Sequence, residues 1–213
     1  MLDKRIEIKV CGITDKSEIK ILNDQRVDYA GFIFAESIRN VTGERAAGLV
    51  KGLNESILKV GVFTRICIDE INKLVSGGVI DIVQLHLSDL TGIGRINAPV
   101  WVSVGVGKEE IPFLREIEEY AEGIHLDTYD KKLAGGTGRP FDWELVKGFT
   151  TDKKLILAGG LDHSNIQSAL MKINADVVDL NSGAEIVRNG IRIKSAVLVE
   201  KFIKEVRKYE KYR

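Results

Sequence analysis

Only two cysteines and three prolines occur in this chain of 213 residues. With Cys11 and Cys67 as its thiols, no disulfide framework is available, and the sequence holds no CxxC pair that would suggest a metal site. No stretch rich in serine, glycine or proline offers a linker, so one domain over residues 1–213 is expected. Charge of one sign is missing too: 31 Lys and Arg balance 31 Asp and Glu. That balance argues against a nucleic-acid partner and against attachment to an acidic membrane. No apolar run approaches the roughly 18 residues of a membrane span. The opening MLDKRIEIK is too charged for a signal peptide. A protein of the reducing cytoplasm is the expectation.

What the chain does have is 44% hydrophobic residues, enough for a core. These gather in short β-branched runs: IEIKVC (6–11), DYAGFIF (28–34), ILKVGVF (57–63), IDIVQLH (80–86), PVWVSV (99–104), GIHLD (123–127), KLILA (154–158) and ADVVDL (175–180). The runs are near-continuously apolar, as parallel strands covered on both faces require. Segments of helical spacing lie between most of them, at 15–25, 69–76, 108–120, 163–173 and 194–213, the last with Leu198, Phe202, Val206 and Tyr209 as its apolar stripe. The stretch 88–97 contains Gly92 and Gly94 and reads as a short or irregular crossover. Eight strand–helix units point to an α/β fold, a closed (β/α)8 TIM barrel at the small end of its range. An open doubly wound sheet is the alternative, and periodicity alone does not separate the two.

In a barrel the chemistry gathers where the strands end. Here the ends bring Cys11, Arg39, His86, Asp127 and Asp179 to one face, with glycine turns at Gly159-Gly160 and Ser182-Gly183. Glycines after the last two strands let backbone N–H groups approach an anion, and a following helix start adds its positive end. The segments 162–165 and 183–185 read as such starts. The other reading of these glycines is a pair of tight turns. Asp127 ends an apolar strand, so desolvation should favour its neutral acid form and let it donate a proton near neutral pH; otherwise it caps its loop. Arg39 has the geometry to hold a carboxylate, or is a surface arginine. Cys11 is a nucleophilic or basic thiol, or a small buried hydrophobe. His125, inside the sixth strand, reads as a wall residue. A further glycine cluster, 135–138, falls in a long loop after strand six.

Seven segments in one order, each at a strand end, carry a resemblance: KVCGIT (9–14), AGFIFAESIRNVT (30–42), VGVF (60–63), VQLH (83–86), LDTYDKKLAGGTGRPFDW (126–143), LAGGL (157–161) and DLNSGAE (179–185). The chain resembles the phosphoribosylanthranilate isomerases of tryptophan biosynthesis nearly end to end. The resemblance implies an Amadori rearrangement of a small phosphorylated aminosugar, N-(5-phosphoribosyl)anthranilate, to 1-(2-carboxyphenylamino)-1-deoxyribulose 5-phosphate, without metal or organic cofactor, by a monomer or homodimer. It implies Cys11 as general base and Asp127 as general acid. It further implies Arg39 on the anthranilate carboxylate, His86 and Asp179 on the substrate, and Gly159, Gly160, Ser182 and Gly183 on the phosphate. For this chemistry the acid must start protonated and the thiol ionised, so their environments should push the acid up and the thiol down.

The chain departs from the family pattern at Ile38, where proline is usual, at Leu87, where glycine is usual, and at Asn181 and Ala184; the usual Lys-Asp before the last helix is replaced around Arg192-Ile193. Two rivals remain. A histidine-pathway sugar-phosphate isomerase would carry an aspartate where this chain has Cys11. A non-catalytic phosphate-binding barrel would not need both Cys11 and Asp127.

Overall fold

A computed structural model of the chain describes residues 5–86, 91–106, 117–128 and 143–212. Eight parallel strands close into a barrel in sequence order: β1 (Glu7–Val10), β2 (Tyr29–Ile33), β3 (Leu58–Phe63), β4 (Ile82–Leu85), β5 (Val100–Val106), β6 (Gly123–Thr128), β7 (Lys154–Leu157) and β8 (Val177–Leu180). Closure is made by β8 on β1, with Val177 opposite Glu7 and Asp179 opposite Lys9. The open sheet is thereby excluded. Six strands fall inside the apolar runs that announced them, while β5 and β6 run two and one residues past theirs, to Val106 and Thr128.

The period of two divides each strand. Ile8, Val10, Ala30, Phe32, Val83, Leu85, Val102, Leu126, Leu157 and Val178 join the core between barrel and helices. Toward the strands' N-terminal ends, Tyr29, Val60, Ile82, Trp101, Ile156 and Val177 form a separate apolar cluster. Gly123 makes room for it, since a Cβ there would lie 2.6 Å from the Trp101 ring.

The described helices are α1 (Lys16–Gln25), α2 (Gly43–Val50), α3 (Ile68–Ser76), α4 (Ile166–Leu170) and α5 (Ala196–Tyr212). Helix α1 begins with a capping box: Asp15 accepts from Ser17 N–H, and Glu18 reaches back to the Asp15 and Thr14 N–H groups. The sequence reading misses α2, which Thr42 caps through the Arg45 N–H at 3.1 Å. The crossover after β4 is irregular as expected, a 3-10 turn at Ile93–Arg95. Helix α4 is shorter than 163–173, because 162–165 form a hydrogen-bonded turn first. The expected helix start at 183–185 is instead a 3-10 turn, Ser182–Ala184, running into an antiparallel hairpin of β9 (Glu185–Arg188) and β10 (Ile191–Lys194). Lys194 and Ser195 stand directly before α5, one residue past the Arg192-Ile193 pair. The buried stripe of α5 is Val199, Phe202 and Val206; Leu198 is only half-buried. The segment 108–116, Leu87 and the glycines at 135–138 lie outside the described residues.

Candidate active site

At the C-terminal ends of the strands, a cavity of about 310 Å³ opens over the barrel axis. Cys11, His86, Asp127, Asp179, Gly159, Gly160 and Ser182 all line it, together with Gln84, His125, Ile38 and Asn181. Seven of the nine residues singled out in the sequence thus face one space. Arg39 and Gly183 do not line it.

Cys11 follows β1 and points inward, two residues beyond Lys9. Gly31 on β2 leaves its space: a Cβ there would sit 2.7 Å from the Cys11 sulfur. Burial pushes the thiol up, and Asp179 adds to that; Lys9 and Lys194 pull it down without winning. The expectation of a lowered thiol is therefore corrected, and the cause is desolvation. Asp127 behaves as expected. Burial raises it, assisted by Asp179, against His125, Lys9 and the Thr128 N–H that donates to Oδ1 at 2.7 Å. The Asp127 carboxyl is held toward its neutral form.

Beneath these two groups runs a buried polar chain. Lys9 Nζ donates to Asp179 Oδ2 at 2.5 Å, and His125 Nε2 meets the same oxygen at 2.9 Å. His125 Nδ1 meets Ser103 Oγ at 3.1 Å, Gln84 Nε2 lies 3.0 Å from Ser103 Oγ, and the same nitrogen lies 3.0 Å from His86 Nε2. Donors and acceptors fit one pattern. His125 donates to Asp179 and accepts from Ser103, while His86 accepts from Gln84 and keeps its Nδ1 as donor. Burial, with His125 and Lys9 nearby, holds His86 down at about 3. Burial would lift Asp179, but Lys9 and His125 outweigh it and hold the carboxylate at about 2. Ligand atoms of His86, His125 and Asp127 lie within 4.8 Å of one another, as a metal site would need. Both His125 nitrogens are already engaged, so the trio is arranged for hydrogen bonding rather than chelation.

Arg39 is 4% exposed and is turned into the wall. Its Nη1 donates to Glu18 at 2.7 Å and its Nε to Glu185 at 3.1 Å, while Nη2 lies 3.1 Å from the same Glu185 oxygen as an ion pair. The expectation of a guanidinium presented to the cavity is corrected in position: two carboxylates on α1 and the hairpin draw it away. Ile38 beside it is 82% exposed at the rim. Glu18 also accepts from Lys194 N–H at 3.0 Å, and these bonds hold it low against the cost of burial. Sequence reasoning missed Glu18 and Lys194 as site supports. The D-x-x-E capping box was the available signal for the first.

Both glycine turns meet at the other side of the mouth. Gly159 and Gly160 have φ of 82° and 62°, in the left-handed region, and among the described residues their N–H groups donate no hydrogen bond. Asn165 Nδ2 ties the Gly160 carbonyl at 2.8 Å. Ser182 and Gly183 open a 3-10 turn, where N–H groups lack partners within the turn. Gly183 lies behind the cavity wall, and a Cβ there would fall 2.1 Å from the Leu161 carbonyl. Its lack of a side chain lets the two turns touch.

A closed (β/α)8 barrel with an acid, a thiol and two glycine turns at its C-terminal mouth defines an enzyme class: barrels that move protons on a small anionic substrate. The comparisons with known proteins narrow it. The family model described as N-(5'-phosphoribosyl)anthranilate isomerase matches residues 8–205. The N-(5'-phosphoribosyl)anthranilate isomerase of Clostridium kluyveri is 33% identical over 204 residues, 95% of this chain and 98% of that protein. Monomers generated from the dimeric enzyme of Thermotoga maritima superpose with a TM-score of 0.82 at 27% identity, covering 95% and 99% of the chains. A phosphoribosyl anthranilate isomerase bound to reduced 1-(o-carboxyphenylamino)-1-deoxyribulose 5-phosphate gives 0.79 at 26% identity and the same coverage. This chain belongs to the phosphoribosylanthranilate isomerase family. Among the described residues, no helix is long and apolar enough to cross a membrane.

Proposed function

We propose that this cavity isomerises N-(5'-phosphoribosyl)anthranilate to the corresponding aminodeoxyribulose phosphate, a step of tryptophan biosynthesis. One observation carries the reading at the level of residues: a carboxyl kept toward its acid form and a thiol face the same cavity, beside two glycine turns, of which the Gly159 and Gly160 N–H groups donate no hydrogen bond among the described residues. Asp127 gives its proton to the furanose ring oxygen. The ring opens and an iminium forms at C1. Cys11, from the thiolate fraction that Lys9 and Lys194 sustain against burial, takes the proton from C2. C1 of the resulting enolamine takes up a proton as its C2 hydroxyl releases one and becomes the ketone; the proton taken by Cys11 offsets the one given by Asp127, so no atom is gained or lost. General acid and general base contribute about 10²–10⁴-fold each.

The phosphate sits on the Gly159–Gly160 and Ser182–Gly183 turns, where backbone dipoles suit an anion. His86 offers its Nδ1–H to the substrate, and Asp179 accepts from a sugar hydroxyl. Arg39 takes the anthranilate carboxylate only by turning out of the wall, away from Glu18 and Glu185, which hold it at 2.7 and 3.1 Å. The test follows anthranilate fluorescence with the phosphoribosyl compound generated in situ. Wild-type protein is expected to accelerate its loss, and Cys11→Ser is expected not to. A folded wild type that leaves the decay at its spontaneous rate sinks the isomerase reading.

A further inference from the structure

Protein carboxylates already hold the guanidinium that the substrate carboxylate would need. Arg39 Nε and Nη2 both lie 3.1 Å from Glu185 Oε1, and Nη1 donates to Glu18 Oε1 at 2.7 Å. Lys194 Nζ donates to that same Glu185 oxygen at 3.0 Å, so two buried cations share one acceptor. Arg192 of β10, exposed to solvent, stands 3.6 Å from Glu185 Oε2. Both carboxylates therefore keep partners if the guanidinium leaves. Glu185 keeps Lys194 and Arg192, and Glu18 keeps the Thr14 and Lys194 N–H groups at 2.7 and 3.0 Å. Arg39 also lies close behind the cavity wall. A Cβ at Gly12 would meet both the Arg39 stem, at 3.4 Å, and Oδ1 of the cavity-lining Asn181, at 3.0 Å, and glycine leaves that space open. We propose that Glu185 is the positioning residue of Arg39 and sets ligand specificity: it competes with the ligand for the guanidinium, so that only an arylamine carrying a carboxylate draws Arg39 to the cavity, while Lys194 and Arg192 stay behind to neutralise Glu185. The proposal rests on Arg39 being the holder of the anthranilate carboxylate, but its test does not need turnover.

A guanidinium in a buried ion pair leaves only for a partner of similar quality. A ligand carboxylate is one, because its two oxygens match the guanidinium fork. A bare aryl ring is not. Ligand affinity is then reduced by the fraction of molecules in which Arg39 is still withheld. Of the two competing carboxylates, Glu18 has a second duty, since it closes the capping box of α1. Glu185 has cations as its side-chain partners: Arg39, Lys194 and Arg192. Removing its charge frees Arg39 without undoing a helix start.

The experiment is calorimetric titration of the full chain with two ligands: the reduced form of 1-(2-carboxyphenylamino)-1-deoxyribulose 5-phosphate, and its phenylamino counterpart without the carboxylate. Glu185→Gln should tighten the carboxylated ligand about tenfold and leave the other unchanged. Arg39→Ala should weaken the carboxylated ligand alone, and adding Glu185→Gln to it should change neither affinity further. Arg192→Gln should act in the opposite sense to Glu185→Gln, weakening the carboxylated ligand by about threefold, because Glu185 then holds Arg39 harder. That exposed position carries the test should Glu185→Gln not fold. Loss of packing would move both ligands together. A Glu185→Gln protein that binds the carboxylated ligand no tighter, or tightens both ligands equally, overturns the proposal, as does an Arg192→Gln protein with no weakening. If Arg39→Ala binds the carboxylated ligand as wild type does, the reading of Arg39 itself fails. If Arg39→Ala binds it weakly and Glu185→Gln binds it no tighter, only the competition fails, so the two failures are told apart.

Discussion

Toward the N-terminal ends of the strands, Tyr29, Val60, Ile82, Trp101, Ile156 and Val177 fill the barrel with hydrocarbon and aromatic rings. Two residues beyond Ile82, Trp101 and Val177, the side chains of Gln84, Ser103 and Asp179 join Lys9 of β1 and His125 of β6 and fill it with hydrogen bonds. The lower layer keeps its ions at the edge, where Lys154 meets Glu7 at 2.7 Å with both side chains about one-third exposed. The upper layer buries its ion pair outright. Apolar burial yields free energy for each Å² removed from water. A buried pair roughly cancels its own desolvation. The lower layer therefore holds the barrel closed. The upper one determines which groups at the mouth carry protons.

That division can be broken from the top with the largest effect. Asp127→Asn removes the ionisable proton but keeps the shape and the bond to Thr128. Turnover should fall by about 10²–10⁴-fold, while the thermal midpoint stays within a few degrees of wild type. Retained turnover in the fluorescence assay would remove Asp127 as the acid.

The converse change sits below. Trp101 is 2% exposed and stands edge-on to Tyr29 with ring centroids 5.1 Å apart. Trp101→Ala should cost about 3–5 kcal/mol of stability in urea unfolding, and the variant that remains folded should turn over at close to the wild-type rate. A large loss of turnover with little loss of stability would show that the two layers are not separable in this way.

The sequence makes the lower layer and the outer core legible because both are written in short, near-continuously apolar runs such as LKVGVF, as parallel strands covered on both faces require. The mouth is legible for a different reason: Cys11, Asp127 and the two glycine turns fall at strand ends, where a barrel must display them. What escapes is charge that folding buries. Lys9, Glu18 and Lys194 look like solvated residues on any helix or strand, and only the third dimension pairs them with Asp179, Arg39 and Glu185. Arg39 escapes in the opposite sense. Its motif suggests an anion site, yet a helix cap 21 residues earlier competes for the same guanidinium. Helix α2 escapes because glycines at 43 and 48 lower its propensity, and packing of Ala46 and Leu49 supplies what propensity lacks.

The smallest effect sharpens the contrast through pH. His86 is neutral in the folded cavity, held at about 3 against an ordinary 6.5, with burial as the main cause. A base depressed on folding binds fewer protons in the native state than in the unfolded chain across that window. Its contribution to stability is therefore complete above about pH 6.5 and is lost as pH falls toward 3. The slope from this single group is about 1.4 kcal/mol per pH unit, so roughly 2 kcal/mol should disappear between pH 7 and pH 5. His86→Gln cannot bind that proton. Urea unfolding at the two pH values should show the wild type losing about 2 kcal/mol more than the variant, with every other titrating group cancelling in the difference. Parallel losses in the two proteins would mean that His86 is already as easily protonated in the cavity as in water, and that the polar layer does not shield it. Trp101→Ala, which opens only the lower layer, should leave the pH-dependent difference intact while lowering both curves together.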